Sequence, residues 1–196
     1  MFKLNNGNSK LGAGIKVINL SRRSCRKDAP CYKLCYAGKG TFNFPNVKNC
    51  YDNNYDEYMA NPLKAERDII SQLPLIGFVR IHASGDMIDM EYFKMLIRIS
   101  KVAKGVKFMA YTKQYELINT YVSQGGKIPR NFKIIFSLWD GFACPNPNNF
   151  PTSTVLLKKG NNDKISKGGY VCSGNCSQCF YCWNIKKGKQ VLFEQH

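Results

Sequence analysis

Short runs rich in β-branched and aromatic residues alternate with helical segments through most of this 196-residue chain, and this alternation constrains the fold most strongly. Strands are predicted at residues 14–20, 76–83, 106–112, 132–139 and 153–157. Helices are predicted between them. The first lies between Cys50 and Leu73, with Asn61 and Pro62 as a cap and first-turn pair, the second follows Asp89, and the third covers residues 115–122.

Strands separated by helices predict βαβ units and a parallel sheet. About five or six strands are expected, whereas a closed eight-fold barrel needs about 250 residues. We therefore predict one α/β domain over residues 1–196 with the fold of an incomplete TIM-like β/α barrel, an open parallel sheet being the alternative. In both architectures ligands bind at the carboxyl ends of the strands.

Seven of the nine cysteines fall into two groups. The first cysteine group follows the strand at 14–20 and the second lies near the end of the chain; their members are Cys25, Cys31 and Cys35, and Cys172, Cys176, Cys179 and Cys182. The C-x-x-C-x-x-C run of the second group is typical of iron–sulfur ligation, and its four thiolates would also suit tetrahedral zinc. We expect a metal, and we prefer a [4Fe-4S] cluster to zinc.

Disulfides suit this chain less well than a metal does. The number of cysteines is odd, the first residues lack the apolar stretch of a secretory signal, and no run is long enough to span a membrane. We therefore expect a cytoplasmic location, where thiols stay reduced. Cys50 and Cys144 stand alone and are expected to be packing residues, with Cys144 as an alternative spare ligand.

Polar residues follow the predicted strands. His82, Ser84 and Asp86 come at the end of the strand at 76–83, and on an extended segment residues two apart share a side. The segments 111–114 and 137–140 end the next two strands, so these side chains are expected to gather near the first cysteine group. The structural alternatives are a hydrogen-bonded histidine and a simple turn at Gly85 and Asp86.

The chain carries 29 Lys and Arg residues against 13 Asp and Glu, a formal net charge of +16. Such a charge attracts polyanions and predicts a nucleic-acid partner bound with little sequence specificity. The alternative is a basic protein without that partner, in which part of the charge offsets an anionic metal centre. No membrane partner is expected.

Several motifs in this order resemble the gene-product-88-like family of phage and viral proteins. They are the segment 8–12 (NSKLG), the first cysteine group with residues 35–40 (CYAGKG), residues 80–82 (RIH) with 84–86 (SGD), residues 111–113 (YTK), and the second cysteine group with Trp183. The resemblance implies an iron–sulfur protein, in the host cytoplasm if viral. It also implies a distant relation to radical S-adenosylmethionine (SAM) enzymes.

Radical SAM enzymes place three cysteines after the first strand, usually as C-x-x-x-C-x-x-C, and leave one iron open for SAM. Cys31 and Cys35 match the first pair, whereas Gly38 stands at the third position and Cys25 could substitute. Ser84, Gly85 and Asp86 stand where these enzymes carry Gly-Gly-Glu, which holds the amino group of SAM. The resemblance thus implies His82, Ser84 and Asp86 as cofactor-binding residues.

Three functions remain open from the sequence. The first is an iron–sulfur enzyme of radical SAM type, the second a nucleic-acid-binding iron–sulfur protein without catalysis, and the third a zinc-stabilised structural module. The sequence also leaves open whether the seven cysteines bind one cluster or two.

Overall fold

The computed structural model describes residues 1–156 and 168–194. Eight strands of this part form one sheet. In chain order they are β1 (Asn5–Asn6), β2 (Ile15–Ile18), β3 (Gly77–Ile81), β4 (Val106–Thr112), β5 (Phe132–Ser137), β6 (Thr152–Leu156), β7 (Tyr170–Val171) and β8 (Gln190–Glu194). The predicted strand at 153–157 corresponds to β6, and Leu157 lies outside the described residues.

Seven α-helices lie in the described part of the chain, three of them a single turn. They are α1 (Cys31–Leu34), α2 (Pro45–Ala60), α3 (Pro62–Ser71), α4 (Met90–Val102), α5 (Tyr115–Ser123), α6 (Cys176–Cys179) and α7 (Tyr181–Asn184). The two helices α2 and α3 replace the single predicted stretch between Cys50 and Leu73. They separate at Asn61, whose side chain accepts a hydrogen bond from the backbone N–H of Lys64 and so caps α3.

The sheet is parallel except at one edge. Its order is β1-β2-β3-β4-β5-β6-β8-β7, and only β1 runs antiparallel to its neighbour. From β2 to β6 the spatial order of the strands follows their order in the chain. The strand order therefore does not reverse over these strands, as it does in doubly wound folds. The predicted parallel α/β sheet is confirmed. In the described residues the sheet is open, since β1 and β7 remain at its two edges.

Different elements pack against the two faces of the sheet. Side chains such as Ile18, Ile81 and Phe108 pack on the helical face against α3, α4 and α5. Val17 and Met109 point to the opposite face, where they meet α7 and its buried Trp183. The C-terminal segment therefore covers the face that the long helices leave free. Among the described helices none combines the length and apolarity needed to cross a bilayer.

Strand β3 ends earlier than the sequence predicts. The prediction extends to residue 83, but His82 adopts a left-handed conformation with φ of 59° and so breaks the extended backbone. His82, Ser84 and Asp86 therefore do not alternate along one side of a strand. Each of the three has its own environment, described below.

Candidate metal centres

The first cysteine group lies in the loop that follows β2. A 3₁₀ turn at Arg22–Ser24 begins at Ser21, whose hydroxyl accepts from the backbone N–H of Arg23. Cys25 ends this turn, Cys31 opens α1 and Cys35 follows α1, so three half-buried thiols leave the carboxyl end of the strand together. This is the position that the sequence predicts.

Burial and neighbouring negative charges raise the pKa of two of these thiols, Cys25 and Cys31. Burial raises the pKa of Cys25 to about 12, and the charges of Asp86, Cys35 and Cys31 raise it further in that order. Burial also raises the pKa of Cys31, while the ammonium of Lys113 lowers it. The three sulfurs are thus near enough to feel one another's charge. A bound metal would be needed to hold them as thiolates at neutral pH.

The structure leaves no room for a side chain at Gly38, the position at which the radical SAM resemblance would place a third cysteine. A Cβ added at Gly38 would lie 2.3 Å from Nη1 of Arg22, so any side chain there would displace the guanidinium. Arg22 donates to the carbonyl of Tyr32 and lies 4.7 Å from the Tyr32 ring centroid. Its charge lowers the pKa of Cys25. An arginine therefore occupies the space beside Gly38, and Cys25 supplies the third thiol of this loop.

Asp86 joins the carboxyl ends of β3 and β4. Its carboxylate accepts from the hydroxyl of Thr112 at 2.6 Å and from the backbone N–H groups of Lys113 at 2.9 Å and Met87 at 2.8 Å. Its own backbone N–H donates to the hydroxyl of Ser24 at 3.0 Å. Burial raises the pKa of Asp86, and these hydrogen bonds oppose that rise. The carboxylate thus ties the strand ends to the cysteine loop.

Lys113 extends this polar network to the next strand. Its ammonium donates to the hydroxyl of Ser137 at 2.8 Å and lies 5.7 Å from the ring centroid of Trp139. Asp86 and Lys113 thus lie near enough to the first cysteine group to act on its thiols, and Ser137 contacts Lys113.

His82 and Ser84 are buried away from that network. Nε2 of His82 lies 3.0 Å from the hydroxyl of Tyr92 in α4, and the two rings stack. Burial lowers the pKa of His82 to about 3, so the ring is neutral. The backbone N–H of Ser84 donates to the side chain of Asn19, and its carbonyl accepts from Leu20. These contacts are structural, and the cofactor-binding roles implied for both residues remain predictions.

The second cysteine group lies on the helix-free face of the sheet. Cys172 follows β7 and donates its backbone N–H to the carbonyl of Leu192, while Cys176 opens α6 and donates to the carbonyl of Lys10. Cys179 ends α6, and Cys182 is buried in α7. Phe180 joins these two helical turns in a left-handed conformation with φ of 48°, which turns the chain back over the sheet.

Tyrosine hydroxyls contact two of these four sulfurs. Tyr111 of β4 donates to Sγ of Cys182 at 2.9 Å, and the hydroxyl of Tyr170 lies 2.9 Å from Sγ of Cys179. Burial raises the pKa of Cys182 to about 11, against the lowering effect of Tyr111 and Arg80. For Cys179, burial is outweighed by the Tyr170 hydrogen bond and others, so the pKa is lowered.

Arg80 of β3 is a cation beside this second group, as is Lys10, and its role was not predicted from the sequence. Its guanidinium carbon lies 4.6 Å from the ring centroid of Tyr111, and its charge lowers the pKa of Cys176 and Cys182. It also lowers the pKa of Tyr36 and His82, on the side of the first cysteine group. The alternation of β3 could have placed Arg80 on this face, but not the distant cysteines opposite it.

The segment at residues 8–12 fixes α6 against the sheet. Gly12 has a φ of +82°, and a Cβ at this position would lie 2.7 Å from Cβ of Ser177. Asn8 forms the turn that precedes it, its side chain accepting from the backbone N–H groups of Lys10 and Leu11. The NSKLG motif therefore supports the second cysteine group.

The space among the second cysteine group is small. All four cysteines line a cavity of about 10 Å³, together with Tyr170 and Trp183 among others. That is about the space of one water molecule. A cluster would not fit in this space unless the segment around α6 opened.

Neither cysteine group is a preformed cage. Among residues 1–156 and 168–194, no three or more His, Cys, Asp or Glu side chains are arranged to hold a metal ion. However, Nε of Arg22 beside the first group and Nε of Arg80 beside the second are buried without a hydrogen-bond partner in the described structure. Buried cationic donors of this kind call for an anionic acceptor. Thiolates and sulfides of a metal centre have that chemistry.

Comparisons with known proteins give a single match. No curated protein and no solved structure matches the chain. A model of the family described as "Gene product 88" matches residues 2–178, which include the first cysteine group, the Asp86 network and the first two members of the second cysteine group. Because this match covers well over half of the sequence, the chain belongs to the gene product 88 family.

Proposed function

We propose that this protein binds a [4Fe-4S] cluster through Cys25, Cys31 and Cys35. The observation that supports it best is the gathering of three half-buried thiols at the carboxyl end of β2, with Arg22 and Lys113 beside them. Three cysteines would ligate three of the four irons of such a cluster. The net negative charge of the centre would be offset by these two cations.

The chain's own residues would supply binding and shielding. The three thiols would release their protons on binding, and the buried Nε of Arg22 would gain an acceptor. Asp86, Thr112 and Ser24 would hold the loop in register with the strand ends. The cluster, when bound, would supply one-electron chemistry.

Substitution of single cysteines tests the assignment. We expect Cys31→Ser to lose most of the iron that wild-type protein retains after anaerobic purification, because serine is a poorer soft-metal donor. Cys50→Ser is the matched control: this half-buried cysteine of α2 accepts a hydrogen bond from Asn5 and belongs to neither cysteine group, so iron should be unchanged. Equal iron in Cys31→Ser and wild type would refute the first group as ligands.

For the second cysteine group, one observation favours zinc. The four cysteines line one cavity of about 10 Å³, too small for a cluster, and four thiolates brought together would satisfy tetrahedral zinc. The C-x-x-C-x-x-C run supports a second iron–sulfur cluster instead. Metal analysis of Cys179→Ser distinguishes them: loss of zinc alone supports a structural zinc site, and loss of iron supports a second cluster.

We further propose that the cluster supports radical SAM chemistry. It is supported by a cysteine loop directly after the first parallel strand and by a strand order that follows the chain, as in a partial β/α barrel. The carboxylate of Asp86 is engaged by three protein donors, which supports a structural role for it. Calorimetry with SAM on anaerobic wild-type protein tests the proposal. If SAM does not bind to protein that carries its full complement of iron, the radical SAM proposal is wrong.

A nucleic-acid partner is a further candidate, supported by charge. Ion pairs in the described part of the chain engage Arg23, Arg26, Lys48, Lys64, Lys94 and Arg98, which leaves most of its basic side chains outside such pairs. The unpaired positive charge is available to phosphates.

A further inference from the structure

A separate cavity of about 180 Å³ opens between the β1–β2 edge of the sheet and the beginning of α2. Apolar side chains of β2 and its neighbours form part of its lining. The remaining wall contains two aromatic rings, Phe42 and Tyr51, and polar groups from Asn6, Asn8, Asn19 and Thr41. None of the cysteines proposed as metal ligands lines it.

Recognition in this cavity does not rely on charge, because no acidic or basic residue is among those that line it. The ring centroids of Phe42 and Tyr51 are 6.3 Å apart, and Tyr36 continues the aromatic row at 5.4 Å from Phe42. A neutral cavity with an aromatic wall suits a flat, uncharged ring system. Its volume is below the roughly 300–1,000 Å³ of pockets for drug-sized ligands, so it takes one ring system and not a large cofactor.

Of the three amides that line the cavity, Asn19 donates to Asn5, whereas Asn6 and Asn8 use only their oxygens in hydrogen bonds within the described residues. Oδ1 of Asn8 accepts from the backbone N–H groups of Lys10 at 3.1 Å and Leu11 at 3.0 Å, and Oδ1 of Asn6 accepts from Nζ of Lys16 at 2.7 Å. Their Nδ2 groups have no acceptor among the described residues. Two oriented amide donors therefore remain available to a ligand with acceptor atoms at its edge.

We propose that this cavity binds a nucleobase. Aromatic side chains that stack on a base, combined with amides that bond its edge, are the usual means by which proteins bind unpaired bases. Lys16 donates from Nζ to Asn6 of the cavity lining, so a positive charge lies near the cavity and suits the phosphate of a nucleotide. The net charge of +16 suits a single-stranded nucleic acid, and a free nucleotide offers the same base.

Fluorescence anisotropy with a labelled oligodeoxyadenylate at fixed salt tests the proposal, and an abasic oligonucleotide of the same length serves as the reference. We expect the base-bearing strand to bind at least about tenfold more tightly, because stacking of one base contributes about 1–3 kcal/mol. Phe42→Leu should remove about tenfold of this preference. Phe44→Leu is the matched control, since Phe44 lies two residues away, is 55% exposed and does not line the cavity.

A second pair of variants tests the amide. Asn8→Asp keeps the oxygen that the backbone uses and removes the amide donor, whereas Ser9→Asp adds the same charge at the neighbouring exposed position. We expect weaker binding for Asn8→Asp than for Ser9→Asp.

The same experiment identifies the source of the base. Competition by adenosine monophosphate would support a site for free nucleotides, and binding of the oligonucleotide without such competition would support a site for single strands. Equal affinity for the abasic and base-bearing strands, or equal effects of Phe42→Leu and Phe44→Leu, would overturn the proposal. Absence of binding to every probe would overturn it as well. None of these outcomes depends on the metal centres.

Discussion

At the residue scale, the charge of Arg80 acts on two members of the second cysteine group. Its guanidinium lies against Tyr111 and acts on Cys176 and Cys182, and its Nε lacks a partner in the described structure. We therefore predict that Arg80→Met increases the rate at which a chelator removes metal from this group by about tenfold. A tenfold change corresponds to about 1.4 kcal/mol of lost stabilisation. Arg80→Lys should restore part of the retention.

Lys107→Met provides the control for this prediction. Lys107 lies on the same face of the sheet, but its ammonium donates to Asn184 at 2.9 Å and is not among the charges that shift the cysteine pKa values. Metal loss should stay at the wild-type rate. Similar acceleration in both variants would show that general destabilisation, and not the charge of Arg80, is responsible.

His82 makes the fold sensitive to acid. Burial lowers its pKa from 6.5 to about 3, so in this range the unfolded chain binds a proton that the folded chain does not. Stability is therefore lost as the pH falls from about 6.5 towards 3, by up to about 1.4 kcal/mol per pH unit from this residue.

The variant His82→Asn tests this dependence, because asparagine tolerates the left-handed backbone at this position. Denaturant unfolding from pH 6 to pH 4 should show a smaller loss of stability in the variant than in wild type. The variant will be less stable at pH 7, since the contact with Tyr92 is lost, but only the slope with pH bears on the prediction. Parallel slopes would contradict it.

At the scale of elements, the short helix α6 depends on how closely the segment at residues 8–12 approaches it. We predict that Gly12→Ala destabilises the protein by about 1 kcal/mol or more, because it combines a positive φ with a Cβ only 2.7 Å from Ser177. Gly14→Ala is the control, since its Cβ would meet nothing within 4 Å. Equal midpoints of urea unfolding for the two variants would show that the close approach does not matter.

Sequence patterns predicted the elements that are long enough to show a periodic spacing of apolar residues. Strands β3, β4 and β5 each place buried residues such as Val79, Phe108 and Ile134 on the helical face, and they were predicted. Two-residue strands β1 and β7 carry no period, and β8 was also missed. The end of β3 was misplaced because the left-handed conformation of His82 depends on its tertiary contact with Tyr92.

At the scale of the whole molecule, the parallel α/β class followed from the sequence, whereas the surroundings of the cysteines did not. Arg80 is separated from Cys176 by nearly half of the chain, and Tyr111 is 71 residues from Cys182. Only the folded sheet brings these groups together. The position of the first cysteine group could be predicted, because a loop after a parallel strand lies at a known edge of the sheet.

The net charge of the molecule gives a prediction of its own. If phosphate contacts dominate nucleic-acid binding, affinity should fall about tenfold or more between 50 and 200 mM salt. Anisotropy titrations with mixed-sequence single strands at several salt concentrations measure this slope. An affinity that does not change with salt concentration would show that the net charge of +16 does not serve to bind nucleic acid.

The central claim is that the first cysteine group binds an iron–sulfur cluster. Quantification of iron, acid-labile sulfide and zinc per chain in protein purified without exposure to oxygen tests it most directly. We predict about four irons and four sulfides for each [4Fe-4S] cluster, with zinc absent or confined to one ion that Cys179→Ser removes. Stoichiometric zinc without iron or sulfide in such protein would contradict the claim.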